Sequence, residues 1–96
     1  MAECQIMYWK NVPVQVKAWD ESSQLGLEMP IRFQQAIDDV ATRQGLINSD
    51  AYLECFHWGE PMQMLGNAEE AAEQMIACLE SEYPQTLNQL VEFLLE

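Results

Sequence analysis

The sequence predicts an α+β fold, in which a mostly antiparallel sheet of about four strands carries its helices on one face. Three observations lead to this prediction. Residues 4–10 and 14–19 have the composition and alternation of β-strands. Residues 33–41 and 68–79 repeat apolar side chains with the period of an α-helix. With a second strand pair at 51–65, the order is ββαββα, followed by a short C-terminal helix.

The first strand pair is predicted to be a β-hairpin. Val14, Val16 and Ala18 alternate with polar neighbours and therefore define one face of the second strand. Pro13 suits a turn or the first residue of a strand, because it has no N–H to donate to a ladder. The following segment, residues 24–28, is either a loop or a short third strand beside the second.

The first helix is predicted after Pro30, a residue that favours the first helical position. Its apolar stripe recurs at i, i+3, i+4, i+7 and i+8, and consists of Phe33, Ala36, Ile37, Val40 and Ala41. Arg43 in the last turn complements the helix dipole, and Gly45 suits a left-handed cap. The helix should therefore bury this stripe and end before Gly45.

A second β-hairpin is predicted from residues 51–58, which contain Tyr52, Cys55, Phe56 and Trp58. Turn residues follow at 59–61, and residues 62–65 could return as the partner strand. A helix that begins at Ser49-Asp50 is the competing interpretation of the first part of this segment.

The second long helix is predicted to begin after Asn67, which is a good N-cap and has Glu70 three positions later, as in a capping box. Glu69, Glu70 and Glu73 lie in its first turns, where the helix dipole favours negative charge. Pro84 should end or kink this helix. Leu87, Leu90, Val91 and Leu94 then mark the short terminal helix, and the 96 residues fit one domain, 1–96.

The charge of the chain is strongly acidic and unevenly distributed. Sixteen acids and four bases give a net charge of −12. All four bases lie in the first 43 residues beside six acids, whereas the remaining residues hold ten acids and no base. Because nucleic acids and anionic membranes are bound through Lys and Arg, neither is expected as a partner. An acidic protein can instead be steered toward a basic surface on another protein.

The cysteines and the apolar segments predict a cytoplasmic location. Cys4, Cys55 and Cys78 form an odd number without C-x-x-C spacing, as is typical of free thiols in a reducing compartment. The first residues lack the basic and apolar regions of a signal peptide. No apolar run approaches the roughly 20 residues that a membrane-spanning helix needs.

Three segments resemble a small bacterial family, the virulence factor domain, which also occurs in conserved virulence factor C. They are Tyr8-Trp9-Lys10-Asn11-Val12-Pro13-Val14-Gln15-Val16, Met29-Pro30-Ile31-Arg32-Phe33-Gln34-Gln35-Ala36-Ile37-Asp38 and Ser49-Asp50-Ala51-Tyr52-Leu53. The resemblance covers most of the chain. It implies no cofactor and no catalytic residue, because the family has no established activity.

Catalytic and metal sites are weakly indicated by the sequence. On one strand, Cys55 and His57 would share a face, but about 7 Å apart and without an orienting carboxylate or amide. Asp50, Glu54 and His57 match no established metal loop, and a lone His disfavours zinc. We therefore predict no catalytic residue, no metal and no cofactor.

The tryptophans are the strongest candidates for a binding surface, because Trp combines a large apolar area with a polar group and is favoured at interfaces. We predict a non-enzymatic interaction or regulatory module, with homo-oligomerisation as an open alternative. Its protein partner would bind an aromatic and acidic surface consisting of Trp9, Trp19, Trp58, Glu69, Glu70 and Glu73. The rival hypothesis is a small accessory enzyme or ligand-binding protein with a pocket near Tyr52, Cys55 and His57. A third hypothesis is an acidic mimic of nucleic acid.

Overall fold

Five strands and four helices form in the computed structural model, which describes residues 1–96. The strands are β1 (Ala2–Trp9), β2 (Val12–Trp19), β3 (Gln24–Glu28), β4 (Phe56–Trp58) and β5 (Met62–Met64). The helices are α1 (Ile31–Arg43), α2 (Asp50–Glu54), α3 (Ala68–Glu82) and α4 (Leu87–Leu95). The predicted α+β class is confirmed, and residues 24–28 are a strand.

The sheet is antiparallel throughout and has β1 at its centre. Its order is β3-β2-β1-β4, and β5 also pairs with β1. The predicted hairpin of β1 and β2 is present, joined by Lys10 and Asn11, and Lys10 takes a left-handed φ of 56° there. The register of this pair shifts between Met7 and Tyr8. Such an irregularity interrupts the alternation of side chains between the two faces.

The second predicted hairpin is wrong in one respect: β5 does not return beside β4. Both strands run antiparallel to β1 along the same edge, with Phe56 opposite Trp9 and Met64 opposite Ala2. The connecting residue Gly59 stays on this edge, since its N–H donates to the carbonyl of Ile6 at 2.8 Å. A Cβ on Gly59 would lie 3.1 Å from the Tyr8 ring. Gly59 therefore serves a close approach and not a tight turn.

Residues 50–54 are helical, so the predicted strand at 51–58 is correct only for its last three residues. Ser49 is the N-cap, and its hydroxyl accepts the N–H of Tyr52. Asp50 occupies the first turn, where negative charge complements the helix dipole. Residues 50–54 form a helix and not a strand because the cap satisfies backbone N–H groups in the first turn. Only three residues of this segment, those of β4, pair with the edge of β1.

The core contains 21 buried residues, none of them charged. Helix α3 packs across β1, β2 and β3 and buries mainly small residues, while α1 packs on α4. Arg32 links α1 to the α3–α4 connection, because its Nε donates to the carbonyl of Pro84 and its guanidinium lies over the Phe33 ring, 4.6 Å from the centroid. The sheet is thereby covered on the side that carries Cys4, Ile6, Val16 and Ala18.

Candidate functional site

Away from the hairpin end that holds Trp9 and Pro13, the second side of the sheet has no buried side chain. The ladder places Glu3 opposite Trp19, Gln5 opposite Lys17 and Met7 opposite Gln15, each alternating with a core residue. We call this surface the open face. It consists of Glu3, Gln5, Met7, Gln15, Lys17, Trp19, Gln24, Gly26, Glu28, Trp58 and Gln63.

Two of the three tryptophans lie on the open face. Trp58 is opposite Met7 and remains 44% exposed, while Trp19 is half-buried opposite Glu3. The Nζ of Lys17 lies 5.7 Å from the centroid of the Trp19 ring, within range of a cation–π interaction. The two tryptophans are separated by four residues along β1, or about 13 Å, and by two strand spacings, or about 10 Å, across the sheet. They form two aromatic corners around a polar centre.

Trp9 is fully buried, which makes it a core residue and not part of an exposed aromatic surface. Its indole N–H donates to the carbonyl of Tyr52 at 3.1 Å, and the two rings pack with centroids 5.8 Å apart. Trp9 alternates with Gln5 and Met7 along β1, but at this end of the strand Tyr52 of α2 lies against its ring. Sequence analysis predicted a strand at residues 51–58 and therefore did not place a helix beside Trp9.

The acids proposed together with the tryptophans lie on α3, away from the open face. Glu69, Glu70 and Glu73 are exposed, whereas α3 contacts the covered side of the sheet through Ala68, Ala71, Ala72, Met75 and Leu79. Glu70 also completes the capping box: its carboxylate accepts the N–H of Asn67, and the Asn67 side chain accepts the N–H of Glu70. The predicted set therefore divides into two surfaces and one core residue.

The open face has its own acids, at its margins. Glu3 and Glu28 belong to it, and Asp20 and Glu21 lie just beyond Trp19. A groove of about 300 Å³ is lined by Trp19 together with Glu3, Asp20 and Glu21. A second, more enclosed depression of about 290 Å³ lies at the opposite end, around Met7, Gln15 and Phe56. Carboxylates therefore lie at both ends of the open face, Glu3 beside Trp19 and Glu28 beside Met7 and Gln15, and Ile31 of α1 borders the second depression.

Tyr52, Cys55 and His57 do not line a common pocket. Tyr52 borders a groove of about 470 Å³ beside Ile47 and Leu53, which Cys55 and His57 do not line. His57 stacks on Tyr8, and its Nε2 donates to the carbonyl of Lys10 at 2.8 Å. Because a carbonyl only accepts, Nε2 must carry the proton. Cys55 follows α2 and does not share a strand face with His57, so that assumption was wrong.

The surroundings of Cys4 and Cys78 both disfavour the thiolate. Burial raises the pKa of the Cys4 thiol. A hydrogen bond to Glu82 raises the pKa of Cys78, and the charge of that carboxylate acts in the same direction. All three thiols are free. The described residues contain no group of three or more His, Cys, Asp or Glu placed to hold a metal ion.

Asp20 is a structural residue that sequence analysis treated only as part of a polar turn. Its Oδ2 accepts the N–H of Ala68 at 2.8 Å, and its Oδ1 accepts those of Ser22 and Ser23. The bond from Ala68 and then the two turn bonds hold the pKa of Asp20 well below its usual range. The spacing of Asp20 and Ser22 signals a local Asx-turn, but the bond to α3 spans 48 residues.

The fold and the open face define a small α+β domain whose sheet is covered on one side only. A family model described as Virulence factor matches residues 7–91, and the chain belongs to that family. The resemblance noted in the sequence is thereby confirmed. Neither the curated proteins nor the solved structures contain a match. None of the four helices has both the length and the apolar character that crossing a bilayer requires.

Proposed function

We propose that this chain is a non-enzymatic interaction or regulatory module that binds a protein partner through the open face. The supporting observation is the pair Trp19 and Trp58, held at two corners of a sheet surface that no helix covers. Antiparallel sheets commonly leave one face to water, but such faces usually carry polar side chains. Tryptophans placed there offer large contact area at a low cost in side-chain entropy.

The charge of the protein favours a partner with a basic surface. The net charge of −12 would accelerate encounter with a cationic protein, and Glu3 and Glu28 lie on the open face itself. Lys17 beside Trp19 would fix the orientation by repelling a misplaced basic group. We propose the bacterial cytoplasm as the place of action, because three unpaired thiols suit a reducing compartment.

A matched set of variants tests the open face. Trp19→Ala with Trp58→Ala removes both aromatic corners, while Leu53→Ala with Leu65→Ala removes two side chains that are 65% and 78% exposed elsewhere. Proteins captured from native lysate by the natural chain are then tested for binding to each of the two variant pairs. A specific partner loses roughly tenfold or more in affinity with the tryptophan pair and less than about twofold with the leucine pair.

Tryptophan fluorescence supplies an independent measurement. Because Trp58 is 44% exposed, burial by a partner shifts its emission to shorter wavelength, and Trp58→Phe removes that shift. A partner that binds both variant pairs equally, without any change in emission, would contradict the proposal.

The groove beside Tyr52 supports a second candidate, binding of a small ligand. Its walls include the exposed apolar side chains of Ile47 and Leu53, and Asp50 adds a carboxylate. Native mass spectrometry of the purified protein tests this role. A retained small molecule that is lost in Leu53→Arg would favour ligand binding, whereas ligand-free protein would leave the groove without a function.

A further inference from the structure

Strand β3 has one free edge. It pairs only with β2, and the hydrogen bonds at the ends of this pair fix which of its backbone groups are used. The N–H of Asp20 donates to the carbonyl of Ser23, and that of Met29 donates to the carbonyl of Val14. In an antiparallel ladder, this phase directs the backbone of Leu25 and Leu27 toward β2.

The remaining backbone groups of β3 therefore point away from the sheet. They belong to Gln24, Gly26 and Glu28. The ladder with β2 does not use these groups, and they make no backbone hydrogen bond elsewhere in the protein. Free strand edges are usually protected by Lys, Pro, a bulge or a covering segment. The five residues of β3 contain neither Lys nor Pro, and their pairing with β2 has no register shift. At the middle of the edge, exposed Gly26 leaves the backbone open to a neighbouring chain.

An acidic stripe of α3 lies on the side of this edge. Glu69, Glu73, Ile76 and Glu80 are spaced at i, i+4, i+7 and i+11, so they follow one flank of the helix. Helix α3 runs antiparallel to β2, because it begins at the bond between Ala68 and Asp20, at the end of β2, and ends at its C-cap Tyr83, whose ring lies 6.2 Å from that of Phe33 near the start of β2. In a right-handed helix of this direction, the flank opposite the stripe, which carries Glu82, lies toward β1. Since β1 and β3 lie on opposite sides of β2, the stripe faces β3.

Apolar side chains line the space between the stripe and the edge. Leu25 and Leu27 are half-buried, and Ile76 at the centre of the stripe packs on the same core. An added strand would lie about 4.8 Å from β3 and direct every second side chain toward α3. Those side chains would meet Ile76 and the carboxylates of Glu69, Glu73 and Glu80. No base lies in the sequence after Arg43 to neutralise these carboxylates.

We propose that the β3 edge and the acidic stripe of α3 together bind an extended segment of a partner chain, which adds to the sheet as a sixth strand and carries Lys or Arg at alternate positions. Backbone hydrogen bonds to Gln24, Gly26 and Glu28 supply affinity, and the alternating bases supply specificity. A second copy of this chain is a poor occupant, because each copy has a net charge of −12. Of the open face, this site uses only the backbone of Gln24, Gly26 and Glu28 at the margin and neither Trp19 nor Trp58, so the two proposals can fail separately.

A synthetic peptide tests the site directly. The probe is a blocked heptapeptide of alternating Lys and Val, and the control has the same composition with its lysines adjacent. We expect the alternating peptide to bind more tightly by isothermal titration. In the NMR spectrum it should also protect the amides of Gln24, Gly26 and Glu28 from hydrogen exchange. Equal affinity for both peptides, or protection confined to the surroundings of Trp58, would overturn the proposal.

Two variant pairs separate strand addition from general attraction of charge. Gly26→Pro removes an outward N–H without taking a bond from the β2–β3 ladder, and Gly26→Ala keeps that N–H. A triple variant of the stripe, Glu69→Gln, Glu73→Gln and Glu80→Gln, is matched by Glu54→Gln, Glu60→Gln and Glu92→Gln, which remove the same charge from exposed sites elsewhere.

We expect Gly26→Pro and the stripe variant each to weaken the alternating peptide by roughly tenfold, and both controls by less than about twofold. Equal losses in the two triple variants would overturn the site, because they would reduce binding to the overall charge. If Gly26→Pro does not fold, the exchange protection of Gly26 in the natural chain decides: an unprotected amide at saturating peptide excludes strand addition.

Discussion

Trp9 is fixed by neighbours from three parts of the chain. Its indole N–H is satisfied by Tyr52 of α2, its ring packs on that of Tyr52, and the Nζ of Lys10 lies 5.2 Å from its centroid. In β2, Val12 is opposite it and equally buried. A buried Trp with a bonded N–H contributes packing and a hydrogen bond together, so its loss should affect the whole domain.

We predict that Trp9→Ala lowers the free energy of unfolding by about 3–5 kcal/mol, because it leaves a large cavity and removes the hydrogen bond from the indole to the carbonyl of Tyr52. Trp58→Ala, at a 44% exposed position, should cost less than about 1 kcal/mol. Urea denaturation followed by circular dichroism measures both. A domain of this size has a free energy of unfolding of only about 5–14 kcal/mol, so Trp9→Ala could unfold it. Trp9→Phe serves as a milder variant for that case. Equal losses for the two alanine variants would contradict the assignment of Trp9 to the core.

The sequence alone singled out the three tryptophans as candidates but could not place each of them in the fold. Trp19 follows from strict alternation along β2 and was correctly kept off the core side. Trp9 could not be placed in the same way, because its burial depends on a helix that approaches from 43 residues away. Alternation describes a single strand; it does not include the element that covers it.

Three side-chain hydrogen bonds meet at the start of α3. Asn67 and Glu70 satisfy two N–H groups in the capping box, and Asp20 from the β2–β3 turn satisfies a third, that of Ala68. Side chains thus accept hydrogen bonds from three of the four N–H groups that have no partner within the helix. The bond from Asp20 also fixes α3 relative to the sheet that it covers.

We predict that Asp20→Asn lowers Tm by several degrees at pH 7. The amide can keep the Oδ1 bonds to Ser22 and Ser23 but presents an N–H to Ala68. Because folding depresses the pKa of Asp20, its contribution is complete above the unfolded pKa of about 3.9 and declines as the pH falls below that value.

The difference in Tm between the natural chain and Asp20→Asn should therefore shrink between pH 5 and pH 2, roughly across the titration of an unfolded carboxyl. Glu21→Gln removes the same charge from the adjacent exposed position and should change Tm little at any pH. Thermal melts across this pH range measure both variants. A difference for Asp20→Asn that stays constant down to pH 2 would contradict the prediction, because the effect would then not depend on the ionisation of Asp20.

Among the strands, β1 has the most complete pairing, since β2 lies on one side and β4 with β5 on the other. We predict the slowest hydrogen exchange for the amides of Gln5 and Met7, because the ladder directs them toward β2 at the centre of the sheet. The three-residue strands β4 and β5 should exchange faster by roughly tenfold or more, because short edge strands open locally. Amide exchange followed by NMR tests this order, and faster exchange in β1 than in β4 would contradict it.

Short elements were the hardest to predict. The five residues of α2 are fewer than two helical turns, so no apolar period identifies them, although Ser49 and Asp50 were recognised as a helix start. The helices α1 and α3 are long enough for the period to be unambiguous. The partner of β5 could not be read from the sequence, because turn chemistry at Gly59 and Pro61 fits both a hairpin and an interrupted strand.

At the scale of the whole molecule, the acidic charge is confined to a small volume. Sixteen carboxylates and four bases occupy a body with extents of 42 × 28 × 18 Å, and Arg43 with Asp39 forms its one ion pair. At low ionic strength the Debye length is comparable to these extents, so most charges repel one another. Net repulsion destabilises the compact state.

We predict that Tm rises by roughly 5 °C or more between 10 mM and 0.5 M NaCl, as screening removes this repulsion. The triple variant Glu54→Gln, Glu60→Gln and Glu92→Gln should raise Tm at low salt and flatten the dependence. Differential scanning calorimetry measures both curves. A Tm that falls with salt would mean that attractive pairs outweigh the net charge.

The central position of β1 has a consequence for how the chain is divided. Residues before the exposed loop around Gly45 supply three strands and α1, while those after it supply both strands on the other edge of β1, the helix that covers the sheet, and α4 against α1. The hydrophobic core contains residues from both halves, so neither half has a complete core of its own. Cut at that loop, the protein would become two pieces that each complete the other, as the two parts of a split reporter do.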